Sequence, residues 1–288
     1  MDKINMAWIQ GKWHGNVATT QQIYLEQARS LQGQKVDLLV LPEFFHTPYF
    51  PITEDPKNFD YAISKEDSIV EAWQQIAQEL NCVVVFPFFE KRARGVYQNS
   101  AFVFERDGSV AGLYRKTHIP DDPCFYEKYY FMPGDTGFKP IKTSAGTLGI
   151  LICWDQWFPE AARILALQGA ELLIYPTAIA WDANEPEALY PRQLKSWQTS
   201  MQGHAIANGV FVLAVNRVGS EDNLDFWGHS FVSEPDGHIA SETDHKFYGV
   251  AQHSINFSEI ENQRQAWPFM RDRRVCQYEM LLKQWGTP

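Results

Sequence analysis

The sequence predicts an α/β protein. Apolar runs of strand length alternate with helix-period segments from end to end. Several runs, such as residues 36–41, are continuously apolar, as strands are when both faces are covered. A long-range echo adds to this: Gly33-Gln-Lys-Val-Asp-Leu-Leu-Val-Leu-Pro42 and Gly169-Ala-Glu-Leu-Leu-Ile-Tyr-Pro176 share one order, helix end, acidic residue, apolar strand, proline. Many α/β units look like this. The echo therefore leaves two readings open, a generic unit used twice or two similar halves whose sheets face each other with helices outside.

Taken in order, residues 4–10 read as a strand, 19–32 as a helix and 36–41 as a buried strand. A helix over 65–80 leads into a strand over 83–89. Strands over 96–104 and 109–114 pair around the turn Arg106-Asp-Gly108. Residues 147–152 form another buried strand, and 159–168 a helix that Gly169 ends as a C-cap. A strand over 172–175, a helix over 192–208 and a strand over 210–215 follow. A hairpin of 226–233 with 238–242 turns at Pro235-Asp-Gly237, 247–256 is the last strand, and 257–288 reads as a charged tail. No Gly/Ser/Pro-rich linker divides the chain, so 1–288 is expected to be one domain.

The 288 residues suffice for a large core, and 45% hydrophobic with 14% aromatic residues marks an ordered protein. A net charge of −10 argues against a general nucleic-acid binder, which needs a basic face. The four cysteines (Cys82, Cys124, Cys153, Cys276) form no Cys-x-x-Cys pair, and no His cluster has zinc-site spacing, so no metal is expected. The opening residues show no basic-then-apolar signal segment, and no apolar run approaches the ~20 residues of a membrane span. The expectation is a cytoplasmic protein with free thiols and no membrane partner.

Three polar residues stand where otherwise apolar strands end. Glu43 closes Leu38-Leu-Val-Leu-Pro-Glu43, Lys116 follows Gly112-Leu-Tyr-Arg, and Cys153 closes Leu148-Gly-Ile-Leu-Ile-Cys153. An ionised group at such a position costs free energy unless it is paired. If the three strands are neighbours, the residues converge on one pocket at the carboxyl ends of the strands, where α/β proteins place their chemistry. A thiol with an ordinary pKa near 8.5 is only a few per cent thiolate at neutral pH and needs a base or a cation beside it. Glu43 can take the thiol proton and pass it to a leaving amine. Lys116 can stabilise the oxyanion formed on addition to a carbonyl, and the backbone N–H of Trp154 can be the second donor, each typically worth ~3–4 kcal/mol of barrier. Singly, each residue has an ordinary structural explanation: a buried filler thiol, a helix-start acid, a solvated basic loop.

Together with their surroundings, these residues identify a family. Leu41-Pro-Glu-Phe44, Tyr114-Arg-Lys-Thr-His-Ile-Pro120 and Ile152-Cys-Trp-Asp-Gln-Trp-Phe-Pro-Glu-Ala-Ala-Arg163 resemble, in order and spacing, the three blocks of the nitrilase or carbon–nitrogen hydrolase superfamily. The similarity extends to Trp267-Pro-Phe-Met-Arg-Asp-Arg-Arg274. It implies a four-layer α-β-β-α sandwich, a homodimer or higher homo-oligomer, and no cofactor. It also implies Cys153 as nucleophile, Glu43 as general base and Lys116 as oxyanion stabiliser. A second glutamate falls on Glu127 in Phe125-Tyr-Glu-Lys-Tyr-Tyr-Phe131, there to orient Lys116 or the attacking water. On spacing alone Glu127 reads as an exposed loop acid.

Within the family, the resemblance is strongest to the branch that cleaves the terminal ureido group of N-carbamoylputrescine. It rests on segments such as Pro133-Gly-Asp-Thr-Gly-Phe138 and Tyr175-Pro-Thr-Ala-Ile179. The loops Asp121-Asp-Pro-Cys-Phe125 and Ala180-Trp-Asp-Ala-Asn-Glu-Pro-Glu-Ala-Leu-Tyr190 depart from that branch's usual form. The expected substrate is a small cationic molecule. Its ammonium would meet Asp122, Asp182, Glu185 or Glu187, each of which is otherwise a solvated loop acid. A carbamoyl-acid or simple amide substrate stays open, the former calling for a basic residue at the pocket mouth, which the acidic loops argue against. A non-catalytic scaffold would lack one of Glu43, Lys116 and Cys153. Cys124 is expected to pack in its loop, His204 to make a core hydrogen bond and His118 to support Lys116.

Overall fold

The structure is a computed structural model that describes residues 2–286. Its elements run β1 (Lys3–Gln10), α1 (Val17–Arg29), β2 (Leu38–Val40), α2 (Ser68–Leu80), β3 (Val83–Ala93), β4 (Val96–Phe104) and β5 (Val110–Arg115). Then come β6 (Ile141–Thr143), β7 (Gly146–Ile150), α3 (Pro159–Leu167), β8 (Leu172–Thr177), β9 (Ala180–Asp182), α4 (Tyr190–Asn208) and β10 (Phe211–Asn216). The chain continues through β11 (Val218–Glu221), β12 (Leu224–Trp227), β13 (Phe231–Ser233), β14 (Ile239–Glu242), β15 (Gly249–Asn256) and α5 (Ser258–Ala266).

Two six-stranded sheets form, ordered β15-β1-β2-β3-β4-β5 and β14-β13-β10-β8-β7-β6. Each has three adjacent parallel strands, β1-β2-β3 in one and β7-β8-β10 in the other, flanked by antiparallel strands. The echoed segments supply β2 and β8, the middle parallel strand of each sheet. This favours the reading of two similar halves.

Strand alternation builds the layers. On β1, Ile4, Met6 and Trp8 join the core shared with the second sheet, including Leu148, Ile174 and Val212. Ala7 and Ile9 point the other way, into a core with Tyr24 and Ala28 of α1 and Trp73 and Ile76 of α2. The helix α2 buries Ile69, Val70, Trp73, Ile76 and Ala77, one face of a 3.6-residue period. Asp67 caps its N-terminus through Ile69 N, and Asn81 ends it in the left-handed region. With α3 and α4 against the other sheet, the α-β-β-α sandwich is complete. A third cluster, rich in aromatics (Phe44, Tyr49, Phe50, Phe89, Phe131, Phe226), roofs the strand ends.

Three expectations need correction. The strand expected over 226–233 is two: Gly228 (φ 64°) and His229 (φ 52°) break it, and β12 joins a separate three-stranded sheet, β11-β12-β9. The break is held by Asn216, which donates to Gly228 O, and by Gln10, which accepts from Ser230. The short strands β6, β9 and β11 fell outside the sequence expectation. The tail from 257 opens with α5, whose Ile260 enters the shared core; residues 287–288 lie outside the described residues. No helix among the described residues is long and apolar enough to cross a membrane.

Candidate active site

Glu43, Lys116 and Cys153 stand just beyond β2, β5 and β7. Parallel pairing of β2 with β1 and β3 directs its end toward the aromatic roof, and β5 reaches the same end through β4. Lys116 N donates to Asn99 O at 2.8 Å, which fixes the backbone where the side chain departs.

The charged residues form one buried cluster. Lys116 Nζ donates to Glu43 Oε1 at 3.0 Å and to Glu127 Oε2 at 2.7 Å, and all three side chains are wholly buried. Asn99 Nδ2 also donates to Glu43 Oε1, at 2.6 Å. Tyr49 donates its hydroxyl to Glu127 Oε1 at 3.0 Å. Two features remain open. Glu43 Oε2 is buried with no hydrogen-bond partner among the described residues. An ammonium carries three donors, and only two carboxylate oxygens receive them, so one N–H of Lys116 is available. Glu127, an exposed acid on spacing alone, is instead fully buried on a one-turn helix, Glu127–Tyr129.

Cys153 begins a short helical turn, Cys153–Trp157, with φ 43°. A non-glycine residue held in this region costs ~1–3 kcal/mol and persists only where its surroundings enforce it. Phe44, next to Glu43, is strained likewise at φ 50°. Asp155 enforces the first bend: it accepts Ile152 N at 2.9 Å and Tyr114 Oη at 2.7 Å on one oxygen, and His118 N at 3.0 Å and His118 Nδ1 at 2.7 Å on the other. The turn holding Cys153 and the loop after Lys116 are thereby tied to one carboxylate. Buried Arg217 enforces the second bend, donating to Phe44 O and Thr47 O at 3.2 Å.

The electrostatics follow from burial. Burial and the Glu43 carboxylate push the Cys153 thiol well above its usual range, with Lys116 opposing, so the resting group is a thiol. Its S–H points toward Ala178 O, 3.9 Å away. Burial works against the Lys116 ammonium, but Glu127 and Glu43 outweigh it and raise its pKa. Burial raises Glu127 to about 7, with Lys116 pulling down and Glu43 pushing up. Burial, Glu127 and Glu43 together keep the Tyr49 hydroxyl protonated, a donor at all relevant pH.

A cavity of about 510 Å³ opens over the cluster, lined at its base by Cys153, Glu127, Trp154 and Ala178 and toward the mouth by Asp122, Asp182, Glu185 and Arg192. Of the residues expected to meet substrate, Trp154, Asp122, Asp182 and Glu185 line this cavity and Glu187 does not. Asp182 Oδ1 is occupied by Asn184 and Asn223, and Glu185 by Gln193. Cys124 is half-buried and its sulfur accepts from Asn223 Nδ2, in the turn between β11 and β12, at 3.2 Å, and His204 bonds Tyr175 Oη at 2.8 Å. Sequence reasoning missed Tyr49, Asn99, Asp155 as a brace, and Arg192. Apart from the bond of Asp155 to Ile152 N, the first three act through contacts 37 to 78 residues distant, beyond any local pattern. Arg192 read simply as the start of a helix.

Residues 5–265 match the carbon-nitrogen hydrolase family. The chain is 39% identical to an N-carbamoylputrescine amidase of Arabidopsis thaliana over 94% of this chain and 91% of that protein. It is 37% identical to a citrullinase of Francisella tularensis over 99% of this chain and all of that protein. A solved carbon-nitrogen hydrolase of Helicobacter pylori G27 superposes with a TM-score of 0.94 at 43% identity, covering 99% of this chain and all of that one. The chain is a member of the carbon–nitrogen hydrolase family, an enzyme that hydrolyses amide-type C–N bonds.

Proposed function

We propose that this enzyme hydrolyses the terminal ureido group of N-carbamoylputrescine, giving putrescine, carbon dioxide and ammonia, through a covalent intermediate on Cys153. The observation that carries this is the unpartnered, buried Glu43 Oε2 in an ion cluster within electrostatic reach of a cavity-lining thiol. A buried carboxylate oxygen without a donor is costly unless a proton arrives there during turnover.

Cys153 sulfur adds to the ureido carbon as its proton passes to Glu43. The carbonyl electrons move to oxygen, where the third N–H of Lys116 and the N–H of Trp154 receive them; the first N–H groups of a helical turn have no intrahelical acceptor. The C–N bond to the terminal nitrogen breaks, Glu43 returns the proton, and ammonia leaves. Water, deprotonated by Glu43, then attacks the S-(N-alkylcarbamoyl) carbon. The C–S bond breaks, the thiol regains a proton, and the N-alkylcarbamic acid loses carbon dioxide to leave the amine. Glu127, braced by Tyr49, holds Lys116 at the oxyanion. Trp154 and Phe125 cover the methylene chain, and Asp122 takes the distal ammonium. The names of the relatives, N-carbamoylputrescine amidase above all, support this choice of substrate. We further propose a cytoplasmic homo-oligomer of one domain per chain.

Ammonia release from N-carbamoylputrescine, a β-ureido acid and a simple aliphatic amide tests the reading. Preferred turnover of N-carbamoylputrescine over the latter two supports it. A simple amide hydrolysed faster than any ureido compound refutes it.

A further inference from the structure

Residues 44–49 join two parts of the buried ion cluster. Glu43 directly precedes them, and Tyr49, the donor to Glu127, ends them. They belong to no strand or helix, so no regular ladder of backbone hydrogen bonds holds them. One ion pair at the start of β11 does so instead. Arg217 donates to Phe44 O and Thr47 O at 3.2 Å, and to Glu221 Oε1. The other oxygen of Glu221 accepts Tyr49 N at 2.7 Å. The pair therefore grips the segment at both ends.

The pair is itself fixed. Its side chains are only 1% and 11% exposed. The guanidinium lies 4.9 Å over the Phe226 ring, and the Tyr49 ring packs edge-on against the same ring at 5.5 Å. Val218 N donates to Gly11 O at 2.9 Å, which anchors β11 just beyond β1. Asn216, the residue before Arg217, exchanges two hydrogen bonds of 3.0 Å with the backbone of Ile179. Ile179 follows Ala178, whose carbonyl faces the Cys153 thiol. Residues 216–221 thus reach the nucleophile's surroundings at one end and the segment after Glu43 at the other.

A buried ion pair is weak evidence for stability, because well-packed apolar residues of similar size often do as well. What apolar residues cannot supply is the fork of donors and the acceptor that fix three backbone groups in place. Placement matters here, since a shift of about 1 Å at a reacting group can cost 100-fold in rate. We propose that Arg217 and Glu221 are positioning residues: their ion pair sets the separation between the base Glu43 and the Tyr49–Glu127 clamp that holds Lys116. This rests on the roles given to those residues above, and it holds for any amide-type substrate.

The test measures Tm, kcat and KM for wild type, Arg217→Met, Glu221→Leu and the double variant Arg217→Met/Glu221→Leu. Kinetics are read well below each Tm, on whichever of the three compounds above wild type turns over fastest. Each single variant leaves one buried charge uncompensated, so its Tm should fall by roughly 10 °C. The double variant carries no lone charge and should recover most of that loss. Its kcat should nevertheless stay roughly 10- to 100-fold below wild type, with KM changed about twofold or less. A kcat that returns together with Tm makes the pair structural and overturns the proposal. So does a loss confined to KM, or a double variant that does not fold. Failure of the ureido reading shows elsewhere, in the substrate preference of wild type, and leaves the comparison among variants intact.

Discussion

Tyr49 donates its hydroxyl to one oxygen of Glu127 at 3.0 Å while Lys116 occupies the other at 2.7 Å, so Glu127 is clamped between a neutral donor and a charged one. The clamp sets both the position of the ammonium and the charge of the acid. Glu127, raised to about 7, must lose its proton to hold Lys116 as an ion pair. Turnover should therefore rise with pH through about 7. The Tyr49 hydrogen bond favours the carboxylate, so Tyr49→Phe should move that limb upward by about one pH unit and lower kcat roughly tenfold. Glu127→Gln should lose far more kcat than it gains in KM. A limb that stays in place in Tyr49→Phe, or a pure KM effect in Glu127→Gln, refutes the clamp.

Glu43 has opposite effects on the rate and on the thiol. Its charge raises the Cys153 pKa, yet it is the base that receives the proton. Glu43→Gln should thus lower the pH at which Cys153 is alkylated by iodoacetamide while cutting turnover by about 10³ or more. Mass-spectrometric peptide mapping distinguishes Cys153 from exposed Cys276. A thiol titration that moves upward in this variant contradicts the proposed placement of charge.

Asp155 braces the Cys153 turn and the Lys116 loop with four donors on two oxygens. In Asp155→Asn an NH₂ group must face two of those donors, which should cost about 2–4 kcal/mol. Thermal unfolding would show a lowered Tm, and activity should fall even at temperatures where the variant is folded. An unchanged Tm would remove Asp155 from this role.

Gly134 packs against the backbone beneath Lys116. Its N–H donates to Lys116 O at 2.7 Å, and a Cβ there would lie 2.0 Å from Arg115 O. Because the obstruction is backbone, Gly134→Ala should displace the Lys116 segment, costing about 2 kcal/mol or more together with most of the activity. Gly137→Ala is the informative contrast: its Cβ would meet nothing within 4 Å, although φ 66° strains it, so its cost should fall on stability alone.

Much of this site is legible in the sequence because apolar strands make a polar terminus conspicuous: Glu43 and Cys153 each end an otherwise continuous hydrophobic run, and Lys116 follows directly on the strand Val110–Arg115. The middle strands β2 and β8 show in the echo for the same reason. What is illegible is long-range or geometric. Nothing around Tyr49 announces an acid 78 residues away. The break at Gly228 and His229 needs positive φ that only the neighbouring Asn216 and Gln10 demand. The strands β9 and β11 are too short for alternation to register. Glu127 is recognisable only through its family block, because the burial that defines it comes from the surrounding fold.

Acid quenching of wild-type enzyme during turnover of N-carbamoylputrescine, followed by peptide mass spectrometry, tests the central claim most directly. The peptide bearing Cys153 should gain the mass of substrate less ammonia, and Cys153→Ala should show neither adduct nor turnover. An adduct on another residue, or hydrolysis that persists in Cys153→Ala, would contradict the account.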